Sequence, residues 1–386
     1  MIERIWNKDF ILLIISNFLM YITYYAVISA LPIYLVSELH ATKSQVGLVV
    51  AAYTLASVLI RPFSGFTLDK YSHRMVFLLA LIVYSLLFVG YLVAISITAL
   101  ILLRFAQGLS WGFSTISASA VAIDTIPAPK RGEGLGYFGM STTLGMSVGP
   151  IIGLFISHHW GYMAMFVSGL FISLASLTAA YAIHLQKRFL VKKRTEFDWK
   201  YLFHKKSILP SLNVLIVMVT YGGLLSFIAL YGRELGIQNT SLFFLIFSIG
   251  IVCSRLVAGK VFDQKGPKRM ITFCLILLII AFPLLSLVQN ALEFYLSALM
   301  IGFGIGVVFP TFQSMVNLLA DIKHRGSANS TLYTAVDIGM GTGMIIAGLI
   351  AQYVSISAIF WVNSLVCIIA LTVFRMYVIP FYEKQK

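Results

Sequence analysis

The sequence predicts an all-α membrane protein with twelve transmembrane helices in two pseudo-symmetric six-helix bundles. Three observations carry that prediction. Of its 386 residues, 59% are hydrophobic and 11% charged, with a mean hydropathy of +0.92, whereas a soluble domain carries about 25% charged residues. Apolar runs of roughly 20 residues, each long enough to cross about 30 Å of hydrocarbon as a helix, recur along the chain. The two halves of the chain also match one another at a fixed shift.

The runs cover 10–34, 45–66, 75–95, 98–123, 134–156 and 162–185, then 208–231, 240–261, 270–288, 295–318, 327–352 and 357–379. No small-residue cleavage site follows the first run, and it is too long for a signal sequence, so it reads as a retained span. Alternating polar and apolar segments of about ten residues are absent, which argues against a membrane β-barrel. Cys253, Cys274 and Cys367 all fall in apolar runs without metal or disulfide spacing and read as packing residues.

The formal charge of +14 invites a nucleic-acid reading, but its placement excludes one. Arg4, Lys8, Lys70, Arg74, Lys130 and Arg131 fall on one side of the predicted spans. Lys265, Lys268, Arg269, Lys323, Arg325, Lys384 and Lys386 share that side, and the opposite loops hold Lys43 and Arg233. This is the positive-inside bias, which places both termini in the cytoplasm of a cell-membrane protein.

The predicted bundles are 1–185 and 208–386. Between them lies the basic connector 186–207, amphipathic and suited to the inner membrane surface. Arg61, Gly65 and Asp69 recur as Arg255, Gly259 and Asp263 (255 − 61 = 194). Gly108 and Gly112 recur as Gly302 and Gly306 at the same shift, and Gly145 and Gly149 as Gly339 and Gly343. Parallel repeats of this kind are a transporter architecture, with the solute site near the midplane.

Four motifs resemble the major facilitator superfamily. "GFTLDKYSHR" is similar to that family's loop 2–3 signature at Gly65 and Asp69, with Ser72 in place of its second glycine and His73 in place of its first basic residue. "GKVFDQKGPKR" keeps the second glycine as Gly266. The resemblance implies a cytoplasmic gate built from Arg61, Gly65, Asp69, Arg74, Arg255, Gly259 and Asp263, with Asp124 as the acidic partner; a topological anchor is the plainer alternative. In span 4, Arg104, Gln107 and Gly108 match a family motif, which implies that Arg104 serves proton coupling or solute contact. A structural bond is the alternative for this costly intramembrane charge. In span 5, Gly136, Gly145, Gly149, Pro150 and Gly153 match the motif associated with the family's antiporters, apart from Leu154 at its final glycine.

Asp337, ten residues into span 11, is the remaining intramembrane acid and a candidate proton carrier or interhelical bond. Span 1 lacks the acid that some drug antiporters of the family carry. By the family's convention that spans 1, 4, 7 and 10 face the pathway, the resemblance offers Asn17, Tyr21, Tyr24, Tyr25, Gln107, Trp111, Asn213, Tyr221, Phe309 and Gln313 as cavity residues. Each has helix packing as its alternative.

No phosphate-binding Gly-rich Lys loop occurs, so no ATP drive is indicated. His158 and His159 have no third ligand nearby, and neither a metal nor a cofactor is implied. One Arg and one Asp at membrane depth do not make the constellation an enzyme needs. The resemblance implies a monomeric secondary transporter in contact with membrane lipids, exchanging an outgoing small organic or amphiphilic solute for protons. The alternatives are export of an endogenous sugar, amino-acid derivative or metallophore, and lipid flipping.

Overall fold

The computed structural model describes residues 5–94, 96–127, 130–184, 204–320 and 325–385, and within them all side chains except those at 62, 65, 66, 69, 131, 132, 256–265, 325 and 326. The described helices are α1 (Lys8–Ser37), α2 (Lys43–Lys70), α3 (His73–Val93), α4 (Ile97–Thr125) and α5 (Arg131–Tyr181). They continue with α6 (Lys205–Glu234), α7 (Thr240–Ser286), α8 (Ala291–Leu319), α9 (Arg325–Tyr353) and α10 (Ile356–Val373), which runs through a π turn into α11 (Ile379–Gln385).

Two of these helices are interrupted. Gly161 takes φ +84° inside α5 and Gly266 takes φ +69° inside α7, a backbone region that glycine enters without steric cost. With α5 and α7 counted as two spans each, α1 to α10 supply the twelve predicted spans. Most of the predicted connector lies outside the described residues; its last three, 205–207, already belong to α6.

The duplication reaches down to capping and packing. Ser96 and Asn290, 194 residues apart, each precede a helix and accept from the backbone N–H three residues on, at 3.2 and 3.0 Å, satisfying a donor the helix start leaves open. The helices they cap end at Thr125 and Leu319, again 194 apart. A side chain at Gly112 would strike Ser57 and Ile60, and one at Gly306 would strike Ile251 and Ser254, the same pair of positions shifted by 194.

At two turns the copies differ in a reciprocal way. Gly266 makes its turn at positive φ, followed by Pro267, while its counterpart Ser72 uses an ordinary φ of −59°. That removes the need for glycine and explains why the first copy tolerates serine. Gly161 turns at positive φ, while its counterpart Ser355 is an extended cap accepting from Ala358 N–H at 3.1 Å. The first helix of each half follows a longer shift: Thr23 and Thr220 (220 − 23 = 197) each donate to the carbonyl three residues back, at 2.7 Å.

The chain divides into two compact units, Met1–Tyr34 with Leu55–Phe197, and Leu35–Thr54 with Asp198–Lys386. In the first, Ser110 of α4 donates to the Ala80 carbonyl of α3 at 2.6 Å, and Gly169 of α5 admits the Phe88 ring. In the second, Gly302 meets the Phe247 backbone, joining α8 to α7, and Gly47 of α2 packs on α9, where a Cβ would lie 3.1 Å from the Gly348 Cα. Lys43 and Glu234 form an ion pair at 2.8 Å on that unit's surface. Large apolar side chains remain exposed along α3, α4 and α5, among them Leu86, Leu102 and Phe171, as hydrocarbon rather than water requires.

Because a Cβ at Gly112 would press on Ile60 and the Ser57 carbonyl, and one at Gly306 on Ser254 and the Ile251 backbone, Gly112→Val and Gly306→Val should each destabilise the protein by about 1–3 kcal/mol through overpacking. Gly139→Ala, where a Cβ meets nothing within 4 Å, should be close to neutral. Thermal unfolding in mild detergent checks this; equal melting temperatures for all three variants contradict the packing described.

Candidate functional site

The site in the first unit is built on a missing row of side chains. A Cβ at Gly145 would lie 2.5 Å from the Cβ of Tyr21, and one at Gly149 would lie 2.6 Å from the Cβ of Tyr25 and 2.8 Å from the Ile22 carbonyl oxygen. Gly153 lies against the Ala26 backbone. The three glycines form a ridge on α5 into which α1 sinks, the close approach small residues permit in membranes. Gly136 is not part of it, because a Cβ there would meet nothing within 4 Å. The ridge is therefore shorter than the motif, and Pro150 lies within it.

The buried polar contact beside the ridge belongs to Asn17, whose amide donates to Ser141 at 2.8 Å and Thr142 at 3.0 Å on α5. These contacts join α1 to α5. Asn213 behaves alike in the second unit, donating to the Ala370 carbonyl of α10 at 2.8 Å.

One turn above Asn17, α1 turns an aromatic wall onto α4. Tyr24 stacks on Trp111 at 4.8 Å and 24°, Tyr21 meets the same indole edge-on at 4.8 Å, and Tyr25 stands edge-on to Tyr24 at 4.8 Å. Tyr84 of α3, not anticipated from the sequence, joins at 6.1 Å from Trp111 and shares a hydroxyl contact of 3.1 Å with Thr23. Such offset and edge geometries suit aromatic quadrupoles. The counterpart of Tyr24 is Tyr221 at the 197 shift, stacked on Phe247 at 6.1 Å and 12°.

Arg104 is 1% exposed. Its Nη1 donates to the Tyr91 hydroxyl at 3.4 Å, and that hydroxyl donates to Gln107 Oε1 at 2.7 Å. Tyr91 in turn stacks on Phe166 of α5 at 4.7 Å and 8°. The motif residues Arg104 and Gln107 thus meet through a tyrosine from α3 that no spacing in the sequence points to. Gln107 Nε2 is buried without an acceptor, a donor left open within this group.

In the second unit, Gln313 Nε2 lies 3.4 Å from both Asn329 Oδ1 and the Tyr333 hydroxyl, and Asn329 donates to Asn317 at 2.7 Å. Phe309 packs on Tyr333 at 5.5 Å. Asn317, Asn329 and Tyr333 were missed by the sequence reading. The signal was present: Gln313 and Asn317 are four apart, as are Asn329 and Tyr333, so each helix shows a two-residue polar face. Asp337 follows one turn after Tyr333 on α9 and is 9% exposed, a costly place for a carboxylate.

Of the proposed gate residues, the side chains of Gly65, Asp69, Gly259 and Asp263 lie outside the described residues. Arg61 is buried and Arg255 half-buried. Asp124 meets His73 with 2.7 Å between Oδ2 and Nδ1, so the acid at the C-terminal end of α4 reaches the residue that stands for the family's first basic position. Arg74 turns elsewhere, donating to the Tyr181 carbonyl at 2.7 Å at the C-terminal end of α5, where a cation is favoured.

Removing the shared hydroxyl tests the Arg104 arrangement. Tyr91→Phe strips the hydroxyl that Arg104 and Gln107 share, at no cost in ring packing, and should destabilise the protein by about 1–3 kcal/mol. Chemical unfolding in detergent measures it; a loss below about 0.5 kcal/mol, the range of an inconsequential substitution, contradicts a linking role for that hydroxyl.

Comparison with known proteins places this geometry in a family. Two overlapping matches, over residues 13–321 and 239–386, fit the Major Facilitator Superfamily. A staphylopine export protein of Staphylococcus aureus (strain Mu50 / ATCC 700699) is 24% identical over 355 residues, covering 86% of this chain and 87% of its own. A multidrug resistance efflux pump PmrA homolog of Lactococcus lactis subsp. lactis (strain IL1403) is 24% identical over 380 residues, covering 94% and 93%. A crystal structure of a bacterial homolog of the human lysosomal transporter Spinster, inward-facing and occupied, superposes with a TM-score of 0.80 at 14% identity over 98% of this chain and 97% of that one, a likeness of fold. This chain, with its two sets of six spans and its glycine-seated first helix, belongs to the major facilitator superfamily.

Proposed function

We propose that this chain is a proton-coupled exporter of small organic or amphiphilic solutes, working by alternating access as a monomer in the cell membrane with both termini in the cytoplasm. The observation that carries the reading is the Gly145–Gly149–Gly153 ridge with Pro150, seated on α1 behind the aromatic wall. It is the part of the antiporter-associated motif that has a physical task here. Names of export proteins among relatives spanning nearly the whole chain support the same direction.

In this reading the bundles 1–185 and 208–386 are the moving halves, joined by 186–207. Solute is handled by Tyr21, Tyr24, Tyr25 and Trp111 in the first unit and by the Gln313–Asn329–Tyr333 cluster with Phe309 in the second. Aromatic faces beside a few amides suit solutes that are part apolar and part hydrogen-bonding. Asn17 and Asn213 hold helices together and define those walls from behind. Asp337 carries the proton and Arg104 biases its release, while Asp69, Asp263 and Asp124 latch the cytoplasmic side. No catalytic step is assigned.

A second reading has a specific observation in its favour. The amides Gln313, Asn317 and Asn329 form a polar cluster, better matched to a polar endogenous metabolite than to a greasy drug, and one relative is named for staphylopine export. Comparing the metabolites released by cells with and without the protein separates the two.

The proton claim is tested in inverted vesicles loaded with the exported solute found by that comparison. Transport should collapse on addition of a protonophore, and Asp337→Asn should retain binding while losing the dependence of transport on pH. Undiminished transport at zero proton gradient sinks the coupling. Full pH-dependent transport by Asp337→Asn moves the proton site elsewhere, with Glu38, just past the end of α1, and Asp124 next to be tested.

A further inference from the structure

We propose that the first unit carries a specific site for one anionic phospholipid, in the groove between the start of α3 and the end of α5, with Arg74 holding the phosphate. This goes beyond the transport reading and does not depend on the solute or on the direction of transport.

The groove measures about 560 Å³. Its walls are Met75, Leu79 and Ile82 of α3 and Leu177 and Tyr181 of α5. All but Leu177 are large side chains left exposed. They lie on successive turns of their helices, so the groove runs along the helix axes, the direction in which an acyl chain lies. In a membrane protein such a groove is filled by hydrocarbon, and the open question is whether one lipid is selected.

Arg74 supplies the selection. It lines the head of the groove beside Ser72. One guanidinium nitrogen donates to the Tyr181 carbonyl at 2.7 Å, and the group lies 6.0 Å from the Tyr181 ring centre. Both partners are neutral, and among the described residues Arg74 makes no ion pair. Its Nε is shielded from water and has no acceptor, so the cation stands incompletely satisfied, and a phosphate oxygen at its terminal nitrogens would supply a charge-assisted hydrogen bond. Ser72 precedes α3 without its hydroxyl capping the helix, which leaves a second polar contact at the same height. Held at Tyr181, the cation is fixed at the mouth of an apolar slot. A negative head followed by an apolar chain is the ligand that fits both features. A zwitterionic lipid brings its own cation to the same spot and loses the charge match.

Native mass spectrometry of the purified protein, released from detergent, tests this with phosphatidylglycerol, phosphatidylcholine of the same acyl chains, and soluble glycerol phosphate. The intact protein should retain one phosphatidylglycerol in preference to phosphatidylcholine and should not retain glycerol phosphate. Arg74→Gln should weaken retention of phosphatidylglycerol about tenfold, the scale of a charged hydrogen bond, and leave phosphatidylcholine unchanged. Leu79→Trp, which fills the slot and keeps the charge, should also displace the lipid, so the claim stands or falls even if Arg74→Gln folds poorly. Equal retention of the two lipids by the intact protein overturns the site. So does phosphatidylglycerol retention that neither variant lowers, and glycerol phosphate binding as firm as the lipid's overturns the role of the groove.

Discussion

The position of α1 depends on three side chains that are not there. Where Gly145, Gly149 and Gly153 lie on α5, the backbone of α1 at Phe18, Ile22 and Ala26 and the Cβ atoms of Tyr21 and Tyr25 occupy the space any Cβ would need. In hydrocarbon there is no hydrophobic force to press helices together, so close backbone approach supplies the van der Waals contact that does. Once α1 is seated, its other face is fixed, and Tyr21 and Tyr24 come within 4.8 Å of Trp111. The second unit repeats the device: Gly339 and Gly343 of α9 lie against Leu215 and Val219 of α6, and Tyr221 stands where Tyr24 does. One packing rule thus places the aromatic side chains of both first helices.

Charge is treated differently from shape. Arg104 is drawn into a group with Tyr91 and Gln107, which gives an intramembrane cation polar company at the cost of fixing α3 against α4. A charge buried so deeply is either neutral in its effect on function, being wholly spent on structure, or set at an energy that a change of neighbours can exploit. At the polar ends of the helices the charges are spent singly: Asp124 on His73, Arg74 on a helix terminus and Lys43 on Glu234. Exposed pairs of this sort contribute about 0–1 kcal/mol each, too little to hold a fold and enough to bias one arrangement over another.

The helices were legible because hydrocarbon leaves only one use for an apolar run of 20 residues. The breaks at Gly161 and Gly266 were legible for a related reason, since polar residues interrupt the apolar pattern there. The glycine ridge could be read from spacing, but its length could not: Gly136 fits the motif, yet a Cβ there would meet nothing within 4 Å. Polar side chains inside spans were the hardest. Asn17 and Asn213, cavity candidates with helix packing as the alternative, each donate to a neighbouring helix, a contact no spacing in the sequence points to. A span-by-span reading fixes the height of a side chain without fixing which neighbour it faces. For the same reason Tyr91, Tyr84 and Asn329 were missed, since their importance comes from partners on other helices. The exchange of Gly266 for Ser72 was visible as a departure from the family pattern, and only the backbone angles explain it.

The claim on which the rest depends is that the ridge sets the aromatic wall, and the fluorescence of Trp111 reads it directly. Of the five tryptophans, Trp6, Trp160, Trp199 and Trp361 can be replaced by Phe to leave Trp111 alone. Gly149→Val in that background should shift its emission to the red and open it to a water-soluble quencher, as α1 lifts and Tyr24 leaves the indole face. Gly136→Val should do neither. Unchanged emission and quenching in the Gly149→Val protein, with the fold intact by circular dichroism, contradict the account.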